Sequence, residues 1–284
     1  MLLLVPADPL APRLADEHFR PEAQAARAAG VEVALVDHDA LTRPGEAPAA
    51  VRRVPPTDDA VYRGWMLRSE QYDAFADALA GRDALLRTTP GQYRQAHELP
   101  GWYDALRTVT PESTWTIGAD LDAFDTCCAA LGAGAAVLRD YSKSLKHSWA
   151  EAAYIPDVTD RDAARAVATR FLELRGEDLV GGLVVRRFEE LAPVEARTWW
   201  THGRCALVTA HPDTAGRPLP GPPDLTAAQP VVAALGPPFV TVDLALRADG
   251  SWRVVELGDG QVSDRPSTTA PEDMIALLTA TDPT

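Results

Sequence analysis

Two stretches near the carboxyl terminus put acids where apolar side chains are expected. FVTVDLAL (239–246) holds Asp243 between Val242 and Leu244, and WRVVELGDG (252–260) carries Glu256 and Asp259 among glycines. Between them lies Asp249-Gly250, a dipeptide favoured in two-residue hairpin turns. With that turn Ala248 opposes Ser251, and Asp243 falls opposite Glu256. Opposed Cβ atoms lie about 4.5–5.5 Å apart, where like charges destabilise a sheet. Either one carboxyl is protonated or a cation holds both. A divalent ion with oxygen ligands resolves the conflict, and Mg²⁺ takes one or two carboxylates together with substrate phosphates. A slip of one residue would send the acids to opposite faces; the plainer alternative is two acids at exposed strand ends. Gly258 and Gly260 let the backbone pass close to a ligand. Asp259 is either a third oxygen ligand or an ordinary turn aspartate.

The cations are arranged as unevenly as the acids. Of 27 basic residues only two are lysines, Lys143 and Lys146, in RDYSKSLKHSW. They are either chance occupants of a solvated face or positions that need a compact ammonium. Arg139 precedes them on a strand-like run, LVVRRF supplies Arg186 and Arg187, and VEARTWW supplies Glu195 and Arg197. On an extended strand Glu195 and Arg197 share a face. Phosphate recognition uses such charges, Lys as a point charge and Arg as a fork. Singly each could be a solvated surface residue; together they occupy consecutive elements ahead of the acidic hairpin. His147 and His211 are available as general bases or as ordinary loop histidines.

The elements that must position these groups follow from the hydrophobic pattern. The 284 residues suggest one large or two small domains. MLLLVP, a helical stretch closing at Gly30, and VEVALVD give a β-α-β order, a small parallel α/β layer over residues 1–110. AVYRGWML reads as a third strand, and SEQYDAFADALAG as a helix capped by Ser69. A boundary is expected in TVTPEST (108–114). Beyond it come strand AAVLRDY, helix DVTDRDAARAVATRFLELRG, strand GGLVVRRFEEL, hairpin VEARTWWTHGRCALVTAH, the acidic hairpin and helix PEDMIALLTA. The net charge of −14 argues against a broad grip on nucleic acid or an anionic membrane. No apolar run approaches the roughly 20 residues of a membrane helix. MLLLVPADPL lacks the basic start of a signal peptide. Three cysteines without framework or ligand spacing suggest a cytoplasmic protein.

Taken together, RDYSKSLKHSWAEAAYIPD, FLELRGEDLVGGLVVRRFEEL, EARTWWTHGR, HPDT and VTVDLALRADGSWRVVELGDGQVS resemble a divergent bacterial branch of the ATP-grasp superfamily, with an arginine- and lysine-rich nucleotide site. PADPL, YRGWML and YRQAHELPGWY extend the resemblance through the amino-terminal part. It implies an α/β chain of α+β lobes: an amino-terminal domain (1–110), a small lobe (111–188) and a large lobe (189–284) with the metal-binding hairpin, the lobes enclosing ATP. Arg139, Lys143 and Lys146 are then expected at the phosphates, Arg186 and Arg187 before a linker whose Phe188 and Glu189 meet adenine, and Glu195 at the ribose. Arg197 faces the phosphates or the acyl group, and Asp243 and Glu256, with Asp259, hold Mg²⁺. The asparagine ligand common two residues after the second acid is replaced by Gly258. The resemblance implies an enzyme, a ligase joining a small-molecule or peptide carboxylate to an amine through an acyl phosphate, with Lys143 and Arg197 catalytic. A phosphotransferase and a non-catalytic nucleotide-binding module stand as alternatives. Arg63 and Trp65 are candidates for holding substrate; the aromatics Tyr93, Trp102 and Tyr103 are either pocket or core.

Overall fold

The computed structural model describes residues 1–280. Contacts divide it into two compact units: 1–96, 194–244 and 256–284 form the first, 97–193 and 245–255 the second. The linear cut near residue 110 does not follow these contacts. The physical reason lies in the first unit's core, which draws on three separate parts of the chain.

The amino-terminal sheet is parallel, in the order β2-β1-β3-β4, with β1 at Leu2–Pro6, β2 at Glu32–Val36, β3 at Thr57–Tyr62 and β4 at Ala84–Leu86. β1 is buried along its whole length, as expected for a central parallel strand covered on both faces. Its alternating side chains feed two cores. Leu2 and Leu4 join Tyr62, Tyr72, Phe75 and Leu79, whereas Leu3 and Val5 join Phe19, Trp199, Phe239 and Ile275. Trp199, Phe239 and Ile275 come from the far end of the sequence, which is why the first unit is discontinuous. The helix 69–80 begins at the expected Ser69, but the cap is Arg68, whose backbone N–H donates to Gln71 Oε1 at 2.8 Å. The third strand starts and ends earlier than its apolar run suggested, so Arg63 and Trp65 follow it.

Within the second unit, β5 (Ser113–Trp115), β6 (Ala136–Arg139), β7 (Tyr154–Ile155) and β8 (Val184–Arg187) form a sheet in the order β5-β8-β6-β7, with antiparallel pairing. Helices Leu121–Leu131 and Arg161–Arg175 pack on it through Phe124, Phe171, Leu138 and Val185. A third sheet, β10-β9-β11-β12, contains β9 (Leu191–Thr201), β10 (Arg204–Ala210), β11 (Phe239–Arg247) and β12 (Trp252–Asp259). No helix among the described residues is long and apolar enough to cross a membrane.

The acidic hairpin turns differently from expectation. Arg247 N–H donates to the Ser251 carbonyl, and Gly250 N–H to the Arg247 carbonyl. Gly250 has φ +82°. This is a three-residue loop with a left-handed glycine, so Arg247, and not Ala248, faces Ser251. At the other end Gly260 N–H donates to the Phe239 carbonyl. Counting inward from the two ends gives registers one residue apart, so β12 carries one extra residue, a bulge. Val255 and Glu256 are both half-buried between buried Val254 and Leu257, which locates the irregularity.

The Glu22–Arg63 pair organises the first unit. Arg63 Nε and Nη2 donate to the two Glu22 oxygens at 2.8 and 3.0 Å, and Nη1 donates to the carbonyls of Gly260, Gln261 and Ser263. Burial pushes the Glu22 carboxyl up, but Arg63 and Arg265 outweigh it and hold it below its ordinary value. Its stabilisation is therefore complete above the unfolded-state value of about 4.3 and is lost as pH falls through the lower folded-state value. Glu22→Gln should cost about 3–5 kcal/mol at pH 7, because it leaves a buried guanidinium uncompensated. Urea denaturation across pH 3–7 should show this deficit shrinking toward the acid end.

Candidate functional site

In the first unit the functional side chains converge on β9, β10 and β11. β10 pairs antiparallel with β9, with Thr209 opposite Arg197 and Ala210 opposite Ala196. His211 N–H donates to the Glu195 carbonyl at 2.9 Å, which sets His211 beside Glu195. β11 contributes Asp243 on the other side of β9. Arg197 grips Asp243 bidentately, Nε to Oδ1 and Nη2 to Oδ2, both at 2.8 Å, and its Nη1 donates to the Asp264 carbonyl at 3.1 Å. Asp243 is 4% and Arg197 8% exposed, so neither charge could be held here alone. Burial works to lower the Arg197 pKa, but Asp243, with Glu256 and Asp264, raises it above its ordinary value. Arg197 is a permanent cation, and Glu256 is close enough to act on it.

Glu195, His211 and Asp243 also form a set of donors. One ligand atom from each lies within 4.8 Å of the other two, and His211 Nε2 is 3.7 Å from Asp243 Oδ2. His211 was singled out in the sequence only as a possible base. Its place among the acids comes from β10 ending where Glu195 begins the face.

Asp259 does not belong to this group. Strand alternation puts it on the face opposite Glu256, where it is fully buried. Oδ1 accepts from Gln261 N–H and Nε2, and Oδ2 has no hydrogen-bond partner among the described residues. Burial pushes its pKa up to about 7, against the hydrogen bonds from Gln261. Arg63, expected to hold a substrate carboxylate, is 1% exposed and fixed on Glu22. Trp65 stays on the surface beside His18 and Phe19. Tyr93 and Trp102 are buried core residues, the former stacked on Tyr72.

In the second unit Asp140 shapes the loop that carries Lys143. Asp140 Oδ1 accepts from the backbone N–H of Ser142 and Lys143, and Oδ2 from Arg175. Lys143, Lys146 and His147 are exposed on this segment. Arg139, at the end of β6, is buried and donates to the Asp140 carbonyl. Sequence reading passed over Asp140 and Arg175; Asp followed two residues later by Ser is the signal of an Asx turn. Arg186 and Arg187, expected at a nucleotide, donate to protein groups. Arg186 braces Thr110 and the Val254 and Val255 carbonyls, and Arg187 the carbonyls of Leu131, Gly132 and Ala133 at a helix end. The Glu189 side chain is held by Arg253. Phe188 meets Tyr154 edge-on, and Tyr154 stacks on half-exposed Trp149, which gives an aromatic face beside the linker.

A family model matches residues 130–278; it describes an ATP-grasp domain, family 3 of the clade named for two arginines and a lysine. The chain belongs to this ATP-grasp family. Solved structures agree on the ATP-grasp fold. An ATP-grasp RimK domain protein from Sphaerobacter thermophilus is 20% identical, with 98% of each chain covered and a TM-score of 0.62. The D-cycloserine synthetase DcsG is 16% identical over 98% of this chain and 99% of its own, at 0.64. The macrocyclase MdnC from Microcystis aeruginosa, bound to its precursor peptide, is 12% identical over 98% and 99%, at 0.58. No curated protein matches the sequence. The match begins at residue 130, so it spans the Lys143 loop, β8 to β12 and the Arg197–Asp243 pair.

Because Asp259 is buried and its charged form is disfavoured, its raised pKa makes folding stability fall as pH rises from about 4 through 7. Asp259→Asn keeps an acceptor for Gln261 without that charge. Its melting temperature should exceed that of the native protein at pH 8, and the gap should close at pH 4.

Proposed function

We propose that the protein is an ATP-dependent carboxylate–amine ligase that forms an amide or peptide bond and releases ADP and phosphate. The observation that carries the reading is the buried Arg197–Asp243 pair with Glu195, His211 and Glu256 around it, in a chain of the ATP-grasp family. The donor set suits a hard divalent cation, being mostly carboxylate oxygen. Asp243 and Glu256 would hold Mg²⁺, with Glu195 and His211 at hand; Arg197 already neutralises Asp243, so the ion would share that carboxylate. Bound there, Mg²⁺ supplies charge neutralisation for the nucleotide's phosphates.

The remaining work falls to the chain's own groups. An oxygen of the substrate carboxylate attacks the γ-phosphorus, and the bond to ADP breaks with its electron pair leaving on ADP. The amine nitrogen then attacks the acyl carbon, the bond to phosphate breaks, and the amine gives up a proton. Lys143, on the loop shaped by Asp140, is the point charge for the transferred phosphoryl group, with Lys146 and Arg139 beside it in the chain. Arg197 stabilises negative charge developing at the acyl group. The aromatic face of Trp149, Tyr154 and Phe188 offers stacking for the adenine. His211, between Glu195 and Asp243, is the group best placed on this sheet to take a proton. The solved structures' printed substrates, a precursor peptide for MdnC and D-cycloserine as the product named for DcsG, favour amide-type chemistry on small or peptide substrates. A cytoplasmic setting goes with this reading.

The test is ADP release from purified protein with Mg²⁺ and pooled carboxylates and amines, with the product read by mass spectrometry. A coupled product should appear together with ADP; a phosphorylated product formed without amine would replace the ligase by a phosphotransferase. Lys143→Ala should lower turnover at least about 100-fold, the scale of losing one electrostatic stabiliser of a transition state. Asp243→Asn with Glu256→Gln should abolish the Mg²⁺ dependence of ATP binding in calorimetry.

A further inference from the structure

A cavity of about 260 Å³ opens in the first unit where the loops after β1 and β2 meet, with Trp65 on its wall. In open parallel α/β sheets ligands bind outside the carboxyl ends of the strands. The volume lies below the roughly 300–1,000 Å³ of pockets for drug-sized molecules, so the occupant is smaller. The floor is apolar, with Leu35, Ala40 and Ala50. The rest of the lining carries both signs of charge.

Arg43 and Glu46 pair with each other at 2.9 Å and leave the balance to the others. Asp16 and Asp37 each use one oxygen on a backbone N–H, of His18 and Ala40, and the second oxygen has no partner among the described residues. His38 Nδ1 is 3.1 Å from the Tyr62 hydroxyl, whose own proton goes to the Trp65 carbonyl. That fixes Nδ1 as the protonated nitrogen and leaves Nε2 an acceptor. Burial holds His38 below the ordinary histidine value despite Asp39, Asp16 and Asp37, so the ring is neutral at pH 7. Arg53 donates to the Pro12 carbonyl, and Arg52 makes no hydrogen bond through its guanidinium among the described residues. The cavity thus offers three acceptors suited to an ammonium and two guanidiniums suited to a carboxylate, over a small apolar floor.

The cavity also connects to the acid–arginine cluster within the same unit. The Trp65 ring is 4.8 Å from the His18 ring, and His18 Nε2 is 3.0 Å from Asp264 Oδ1. The Asp264 carbonyl accepts from Arg197.

We propose that this cavity binds a small zwitterion, a free α-amino acid, with its ammonium on Asp16, Asp37 and His38 Nε2 and its carboxylate on Arg52 and Arg53. Its role as one of the substrates joined rests on the ligase reading above; its binding does not. Isothermal calorimetry of the full chain without ATP, against a panel of free L- and D-amino acids, should give at least one ligand with Kd below about 1 mM. Ala49→Trp fills the cavity from an exposed helix position, and Arg52→Ala removes a carboxylate partner; both are surface changes. Each should weaken that ligand about tenfold or more while Mg²⁺·ATP affinity is unchanged. If no amino acid binds, or if both variants bind it as tightly as the native chain, the cavity assignment is overturned. ADP release without amino-acid binding overturns the cavity and spares the ligase; binding sensitive to both variants, without ADP release from any carboxylate–amine pool, supports the cavity and overturns its substrate role.

Discussion

A buried guanidinium fixed on a buried carboxylate governs the candidate site. Removing either ion from water costs several kcal/mol, and the cost is met only if partners are held in good geometry. Arg197 achieves this with two parallel bonds to Asp243 and a third to the Asp264 carbonyl, which ties β9, β11 and the segment after β12 into one rigid piece. Because that positive charge is permanent, Glu256 can be tolerated nearby, and the sheet presents acids and a cation together. A divalent ion and a phosphate chain would extend this alternation of charge.

The same device recurs elsewhere and accounts for the chain's preference for arginine. Subtracting the two lysines from 27 basic residues leaves 25 arginines. Many of them act as forks on backbone oxygens. Arg63 donates to three carbonyls besides Glu22, Arg187 to three at a helix end, and Arg253 to the Thr108 and Thr110 carbonyls besides Glu189. A planar guanidinium can reach several fixed acceptors at once, whereas an ammonium is a strongly hydrated point charge. The two lysines remain on an exposed loop, where a compact, mobile charge has room to follow a ligand.

Asp140 and Asp259 show how differently buried acids can be used. Asp140 accepts two loop N–H groups on one oxygen and Arg175 on the other, so its charge is matched and the Lys143 loop is held. Asp259 has hydrogen bonds on one oxygen only, and burial drives it toward the protonated form. The first arrangement gives a rigid mount for a functional cation. The second places a titrating group in the core of the first unit, beside Gln261 and Tyr72.

Local pattern alone determined much of this protein. The β-α-β opening, the helices at 161–175 and 271–279, the hairpin turning at His202-Gly203 and the acidic strands were legible because each rests on spacing within one segment. The pairing of Glu195 with Arg197 on one face was legible for the same reason, since alternation along a strand is local. What the tertiary structure decided depends on partners remote in sequence. Arg63, Arg186 and Arg187 looked free to meet a ligand, but are fixed on groups 41 to 200 residues away. A domain boundary at 110 looked natural, but Trp199 and Ile275 return to the amino-terminal sheet's core. The hairpin register was predicted from a two-residue turn; the loop holds three, and a bulge in β12 offsets the change. Hydrophobic period and turn chemistry are written in neighbouring residues, whereas the choice of partner for a long charged side chain is made only when the chain has folded.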